Sequence, residues 1–295
     1  MTATLLALVL LPAADPSGLE ARIKPLADAH QGKIAVAVKH LGTGEEFYLN
    51  ADEPMTTASL IKLAVMVETF WQAEEGKVKL DGMIMLRKAD MVPGAGVLTD
   101  SFSPGATLAL RDAVRLMITV SDNTATNLVL DEIGIPATAA RMKSLGLPET
   151  RINAKVFRGS TTSVDKARTD KYGLGSTTAR ETVKLLELIH AGKVVSPKAC
   201  EEMRGILRKN HDNEMIVRKL PNGTPVAHKT GAVNAARTDA GIVTLPAKKG
   251  EKPHAFAVCV LTNENTDQRW VVDNAAQVVI ADIARAAYDH FTAKK

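Results

Sequence analysis

The sequence predicts an α/β protein of the α+β type, in which both chain ends form one antiparallel sheet flanked by helices. An all-helical lobe is inserted between the two ends. Strand patterns lie near the ends of the 295-residue chain, whereas helical periodicity dominates from Ser59 to about Arg208. The length suits one large domain, and 45% apolar with 24% charged residues is ordinary for a globular protein.

Each end of the chain contributes recognisable elements. Residues 17–30 have helical spacing, and "KIAVAVKHL" and "EEFYLN", joined by "GTG", predict a hairpin. After the turn signal Asn222-Gly223, three strand patterns follow, "TPVAHKTG", "ARTDAGIVTLP" and "HAFAVCVLT". An amphipathic helix from about Arg269 to Thr292 ends the chain. We therefore expect a single domain over 17–295, with a sheet lobe from 17–50 and 205–295 and a helical lobe from 51–204.

The N-terminus "MTATLLALVLLPAADP" has a short apolar run followed by small residues, which predicts a secretory signal over residues 1–14. It lacks a basic residue before that run, so a buried N-terminal segment is the alternative. No stretch approaches the roughly 20 apolar residues that span a bilayer. We expect an exported protein, periplasmic or secreted, without stable membrane insertion, in which Cys200 and Cys259 are small buried residues.

Charge and histidine content exclude other classes of function. A net charge of +4 is too small to favour nucleic acid as a partner. The seven histidines show no metal-ligand spacing. We expect a monomer that needs no metal or other cofactor and takes a small molecule as its partner.

The segment "TTASLIKLAVMVETFWQ" predicts a buried helix with Ser59 and Lys62 in its first turn. Residues three apart share a helix face, and a lysine whose pKa is lowered by burial can take the proton of a serine nucleophile. A helix cap with a surface lysine is the alternative, since S-x-x-K alone is common. A second match, Ser163 to Lys166, lies in a polar stretch and is treated as chance.

Two further short motifs follow at wide spacing. Ser121-Asp122-Asn123 ends the predicted Thr107–Val120 helix, where simple capping would also explain it. Lys229-Thr230-Gly231 ends a predicted strand. There a lysine and a hydroxyl can hold a carboxylate, and the glycine lets a substrate backbone come close. A strand end with a turn glycine is the alternative.

Together and in this order, the three motifs resemble those of the class A β-lactamase family, within the superfamily of active-site serine hydrolases that includes penicillin-binding proteins. The likeness extends to "SDNTATNLVLDEIG", "HKTG…ARTDAGIV", "LGLPETRI" and "STTARETVKLL", and covers roughly residues 20–290. It implies a β-lactamase-like fold, which agrees with the two-lobe layout. It also implies that the substrate is a β-lactam or a D-alanyl-D-alanine peptide.

The resemblance implies three catalytic roles. Ser59 would be the acylated nucleophile, and Lys62 would accept its proton. Ser121 would relay a proton to the leaving nitrogen. An oxyanion hole would be formed by the backbone N–H groups of Ser59 and Ala232, the residue that follows Lys229-Thr230-Gly231.

The resemblance also implies substrate-binding roles. Asn123 would hydrogen-bond the side-chain amide of the substrate. Lys229 and Thr230 would bind its carboxylate, with Gly231 between them and Ala232. Arg237 fits the R-x-D pattern of the next strand and would help to bind that carboxylate, although the turn before it is short. A surface arginine is the alternative for Arg237.

The sequence departs from the family in the Ω-loop. Class A enzymes carry an E-x-x-L-N segment whose glutamate positions the water that hydrolyses the acyl-enzyme. No glutamate occurs here from Arg151 to Arg180, and Glu149, Asp165 and Asp170 lie off the pattern. A general base contributes about 10²–10⁴ in rate, so deacylation is expected to be slow.

Three functions therefore compete. The first is β-lactam hydrolysis through an acyl-enzyme on Ser59. The second is a D-alanyl-D-alanine carboxypeptidase or esterase of the penicillin-binding type, which the missing glutamate favours. The third is a non-catalytic sensor of β-lactams or wall peptides, although such sensors usually sit on a membrane-spanning segment.

Overall fold

The computed structural model describes residues 18–247 and 254–293. The predicted signal over residues 1–14 lies outside these ranges.

Ten strands and eleven helices occur in the described ranges. The strands are β1 (Lys33–His40), β2 (Glu46–Leu49), β3 (Met55–Thr56), β4 (Met83–Met85), β5 (Thr107–Ala109), β6 (Arg151–Ile152), β7 (Gly175–Thr177), β8 (Val226–Val233), β9 (Ala236–Thr244) and β10 (Ala255–Asn263). The helices are α1 (Leu19–Asp28), α2 (Lys62–Glu74), α3 (Leu98–Ser101), α4 (Leu110–Thr119), α5 (Asn123–Ile133), α6 (Ile135–Ser144), α7 (Gly159–Thr162), α8 (Lys166–Tyr172), α9 (Ala179–His190), α10 (Pro197–Leu207) and α11 (Ala275–Ala293).

The main sheet has five antiparallel strands in the order β2-β1-β10-β9-β8. The N-terminal hairpin β1–β2 pairs with the C-terminal strands through β10, so the two chain ends build one sheet, as the sequence predicts. Strand β8 lies at the edge of the sheet. An edge strand has free hydrogen-bonding groups along one side, and this edge faces the helical lobe.

Alternation along β1 divides the interior into two cores. Ala35 and Ala37 point to one face of the sheet and join the core shared with the helical lobe. Val36 and Val38 point to the other face and pack against α1 and α11. The small alanines let α9 lie close to the sheet on the lobe side.

The central segment is mostly helical, and it also contains two small sheets that hydrophobic periodicity does not predict. Strands β3, β7 and β6 form one, and β4 and β5 form the other. Because β5 pairs with β4 over Thr107–Ala109, the helix expected from Thr107 begins only at Leu110. These strands have two or three residues each, too few to show a period.

The C-terminal helix begins at Ala275, six residues after its predicted start. The Asn274 side chain accepts a hydrogen bond from the N–H of Ala276 at 3.0 Å, and the Asp267 carboxylate accepts one from the N–H of Ala275 at 2.9 Å. These acceptors satisfy first-turn N–H groups, which defines a helix start. The predicted periodicity extended into a preceding loop that carries Trp270.

Both cysteines are free and buried, as expected from the sequence. Within the described ranges, no helix is long and apolar enough to cross a membrane.

Candidate active site

Ser59 lies in a short 3₁₀ turn, Ala58–Ile61, that leads into α2. Ala58 adopts a left-handed backbone with φ 47°, which is strained for a residue with a Cβ. The Thr57 carbonyl anchors the turn by accepting hydrogen bonds from the Thr238 hydroxyl at 2.8 Å and the Leu60 N–H at 3.1 Å. The half-buried Ser59 side chain therefore projects from a backbone held on both sides.

Strand β8 presses against this turn at Gly231. A Cβ on Gly231 would lie 2.4 Å from the Thr57 carbonyl oxygen, 2.5 Å from the Thr238 hydroxyl and 2.7 Å from the Leu60 nitrogen. Only glycine permits this approach. It brings the strand that carries Ala232 against the turn that carries Ser59, as an oxyanion hole formed by their N–H groups requires.

Lys62 is fully buried at the start of α2. Its side-chain nitrogen lies within hydrogen-bond distance of the Ser121 carbonyl at 2.6 Å, the Asn123 side-chain oxygen at 3.0 Å and the Ser121 hydroxyl at 3.3 Å. Burial, and then the nearby charge of Lys229, hold its pKa well below 10.5, while Asp122 acts in the opposite direction. A lysine in this state can be neutral and accept a proton.

Ser121 lies between two lysines. Its backbone is left-handed, with φ 55°. Lys229 donates to its hydroxyl at 3.1 Å and to the Thr230 carbonyl at 2.7 Å. Burial lowers the pKa of Lys229 from 10.5 to about 8, although the charges of Asp212 and Asp239 raise it. The structure thus joins Lys62, Ser121 and Lys229, which are up to 167 positions apart in the sequence, in one hydrogen-bonded cluster.

Asp122, the middle residue of the second motif, caps a helix as the sequence predicts and also anchors a loop. Asp122 is the N-cap of α5 and accepts the Ala125 N–H at 2.7 Å. Its other oxygen accepts the N–H groups of Val97 at 2.7 Å and Leu98 at 2.9 Å, which ties a glycine-containing loop to the motif. The loop approaches so closely that a Cβ on Gly96 would lie 2.3 Å from the Asp122 carboxyl group. The glycines of "VPGAG" are the sequence feature that could have indicated this contact.

The third motif and Arg237 are related by strand register. Thr230 pairs with Asp239 and Ala232 with Arg237, so the side chains of Thr230 and Arg237 share one face of the sheet. Lys229 and Gly231 lie on the opposite face, toward Ser121 and the 3₁₀ turn. The motif therefore presents its lysine to the cluster of Lys62 and Ser121 and its hydroxyl to the other side of the strand.

Arg237 is fully buried, so the alternative of a surface arginine is wrong. Its guanidinium donates to the carbonyls of Ala236 at 2.9 Å and Arg269 at 3.1 Å, and to the Gln277 side chain at 3.3 Å. It also lies 4.4 Å from the ring centroid of Trp270. Burial lowers its pKa. Its predicted carboxylate-binding role stays a prediction.

A family model described as "Beta-lactamase enzyme family" matches residues 18–291. This chain belongs to the beta-lactamase enzyme family. Among curated proteins, a beta-lactamase of Streptomyces cellulosae is 27% identical over 243 residues, covering 80% of this chain and 75% of that protein. Beta-lactamase CARB-3 of Pseudomonas aeruginosa is 25% identical over 222 residues, covering 72% of each chain.

Solved structures confirm the fold of this beta-lactamase family hydrolase. A beta-lactamase from Sphaerobacter thermophilus superposes with a TM-score of 0.80 at 29% identity, covering 95% of this chain and 98% of that one. PBP-A superposes with a TM-score of 0.77 at 25% identity, covering 93% and 96%. The predicted sheet from both chain ends, with a lobe inserted between them, is thus the fold of the family.

In this family member, three carboxylates in or near the Ω-loop are candidates to replace the missing glutamate, and all three are bound to other groups. Glu149 accepts from Arg168 at 3.0 Å. Asp165 caps α8 by accepting the Arg168 N–H at 3.0 Å, and exposed Asp170 pairs with Lys166 at 2.6 Å. No contact joins any of the three to Ser59, Lys62 or Ser121 in the described residues.

A different part of the Ω-loop packs against α5 near Asn123. Asn127, one helical turn after Asn123 on α5, accepts the N–H of Val156 at 2.8 Å and donates to its carbonyl at 3.0 Å. Phe157 is the next residue. A Cβ added to Gly94 would lie 3.3 Å from the Phe157 ring and 2.8 Å from the Asn123 amide nitrogen, so both groups border Gly94. The Ω-loop therefore places an aromatic ring, not a carboxylate, near the Asn123 amide. Helical spacing from Asn123 could have identified Asn127, whereas no local signal identified Phe157.

Within the described ranges, no three His, Cys, Asp or Glu side chains are grouped so that they could hold a metal ion.

Proposed function

We propose that this protein is a serine hydrolase of the class A type, which opens the amide of a β-lactam through an acyl-enzyme on Ser59 and deacylates slowly. The observation that carries the proposal is the convergence of Lys62 and Lys229 on the Ser121 hydroxyl, at 3.3 and 3.1 Å, next to the turn that holds Ser59. Two buried lysines around one hydroxyl are costly for stability, which argues for a chemical role.

Acylation follows from the two lysine environments. Neutral Lys62 takes the proton of the Ser59 hydroxyl as its oxygen bonds to the lactam carbonyl carbon. The N–H groups of Ser59 and Ala232 stabilise the oxyanion that forms. The bond from carbon to the lactam nitrogen then breaks, and that nitrogen receives the proton from Lys62 through the Ser121 hydroxyl. Lys62 returns to its neutral state, and Ser59 is left as an ester.

Charge complementarity supports the proposed substrate. Lys229 has a pKa of about 8 and is protonated at neutral pH, while Thr230 and Arg237 share the opposite face of the sheet. A carboxylate next to the scissile amide would find a cation and a hydroxyl at the edge of β8. Both β-lactams and D-alanyl-D-alanine peptides carry such a carboxylate.

Slow deacylation is proposed because the Ω-loop lacks a suitable base. Hydrolysis of the ester needs a group that takes a proton from the attacking water. Glu149 and Asp170 pair with basic side chains, and Asp165 caps α8. Near Asn123 the Ω-loop presents the ring of Phe157 instead of a carboxylate. The same observation favours the second candidate, a D-alanyl-D-alanine carboxypeptidase or esterase, for which a long-lived penicillin adduct is normal behaviour. The similarity to PBP-A supports this candidate, since a mutant of that protein was solved as an acyl-enzyme complex with penicillin G.

Intact mass after mixing with benzylpenicillin, followed over time, tests the proposal. We expect a gain of one penicillin mass that decays slowly, and no gain for Ser59→Ala. A chromogenic cephalosporin then separates the two candidates, because sustained turnover supports the lactamase and a single burst supports the peptidase. Labelling of Ser59→Ala at the rate of the wild type would refute the assigned nucleophile.

A further inference from the structure

Phe157 is an exposed aromatic residue held in a strained backbone. Its side chain is 66% exposed, and its φ of 55° is unusual for a residue with a large side chain. Single surface apolar residues are common, but an exposed residue that also carries backbone strain suggests a local function.

The neighbours of Phe157 fix its position from both sides. Asn127 binds both the N–H and the carbonyl of Val156, at 2.8 and 3.0 Å. On the other side, the Arg158 guanidinium donates to the Ala89 carbonyl at 2.6 Å. The backbone on both sides of Phe157 is thus fastened to α5 and to the segment after β4, which fixes where the side chain leaves the main chain.

The Phe157 ring and the Asn123 amide both lie close to Gly94. A Cβ on Gly94 would lie 3.3 Å from one ring carbon of Phe157 and 2.8 Å from the Asn123 amide nitrogen, so both groups border the same point. Asn123 itself is fixed by Lys62 at 3.0 Å and by the Pro93 carbonyl at 3.1 Å. A substrate whose amide meets Asn123 therefore directs the substituent beyond that amide toward the ring.

We propose that Phe157 is a specificity-determining residue, whose ring is the wall that receives the acyl side chain of the substrate. This inference rests on the proposed function and narrows its substrate class to β-lactams or acyl peptides with an aryl or bulky apolar group on that amide. Covering an exposed ring removes apolar surface from water, and an aryl substituent gains further through offset or edge contacts. A substrate without this substituent gains neither.

The test compares two penicillins in the full-length protein. Benzylpenicillin carries a phenyl side chain, and 6-aminopenicillanic acid has the same ring system without the acyl group. The second-order rate of acylation is measured by intact mass for the wild type, Phe157→Ala and Phe157→Tyr. We expect Phe157→Ala to slow acylation by benzylpenicillin about tenfold and that by 6-aminopenicillanic acid less than about twofold, with Phe157→Tyr close to the wild type for both.

Two results overturn the inference. Equal slowing with both compounds would mean that Phe157 only supports the loop, and no slowing with either would mean that the ring does not meet the substrate. Urea unfolding of Phe157→Ala serves as the folding control, since an exposed ring contributes little to stability. Failure of the proposed function is distinct, because the wild type would then show no Ser59 adduct with either penicillin.

Discussion

Gly231→Ala perturbs the contact between the edge strand and the turn that carries Ser59. The added methyl would lie 2.4 to 2.7 Å from three atoms, of which two are backbone atoms of Thr57 and Leu60. The third is the Thr238 hydroxyl, which already donates to the Thr57 carbonyl at 2.8 Å. No side-chain rotation can relieve the two backbone contacts, so β8 and the turn must separate.

The separation needed is roughly 1 Å, because carbon atoms pack at about 3.5 Å or more. Overpacking of this kind costs about 1–3 kcal/mol, and a weakened hydrogen bond from Thr238 adds about 1 kcal/mol. The free energy of unfolding should therefore fall by about 2–4 kcal/mol. Because a misplacement of about 1 Å can cost about 10²-fold in rate, acylation of Ser59 should slow by a similar factor.

Urea unfolding and the benzylpenicillin acylation rate measure the two effects. Gly205→Ala is the matched control, since Gly205 lies within α10 and a Cβ there meets no atom within 4 Å. That variant should be more stable by about 0.5–1 kcal/mol and acylate normally. A Gly231→Ala protein that acylates within about threefold of the wild-type rate would refute the argument that this close approach builds the site.

Three further predictions concern charge and the Ω-loop. Lys229 has a lower pKa folded than unfolded, about 8 against 10.5, so the unfolded state binds more protons between these values. The unfolding free energy of the wild type relative to Lys229→Met should therefore rise by about 3 kcal/mol from pH 8 to 10.5, in urea titrations at both pH values. Asp122→Ala leaves three N–H groups without their acceptor and should lower the unfolding free energy by about 3–5 kcal/mol, whereas Ser163→Ala should change it by less than about 1 kcal/mol. Val156→Glu, with Val156→Gln as its control, should shorten the life of the penicillin adduct by up to about 10²-fold, as seen in intact-mass time courses; equal lifetimes for the two variants would count against a missing base.

The strands of the main sheet were predictable because each has a local signature. The continuous apolar runs of β1 and β10 are typical of strands buried on both faces, and the Asn222-Gly223 turn marks the start of the C-terminal strands. The short strands β4 to β7 carry no such signature, and their pairing depends on neighbours distant in the chain. For the same reason the helix expected from Thr107 begins late. The helix expected from Arg269 begins late for a local reason, because Asp267 and Asn274 accept its first-turn N–H groups.

The sequence by itself determined which residue types are available for acyl transfer, because each of the three motifs is a run of neighbouring residues. It also determined that no glutamate stands in the expected part of the Ω-loop. Only the tertiary structure decided that two lysines meet at Ser121, that Gly231 admits the nucleophile turn, and that Arg237 is buried against Trp270. It also decided that Phe157 stands beside Asn123. These properties depend on distances and burial between segments up to about 170 residues apart, and no local pattern encodes such distances.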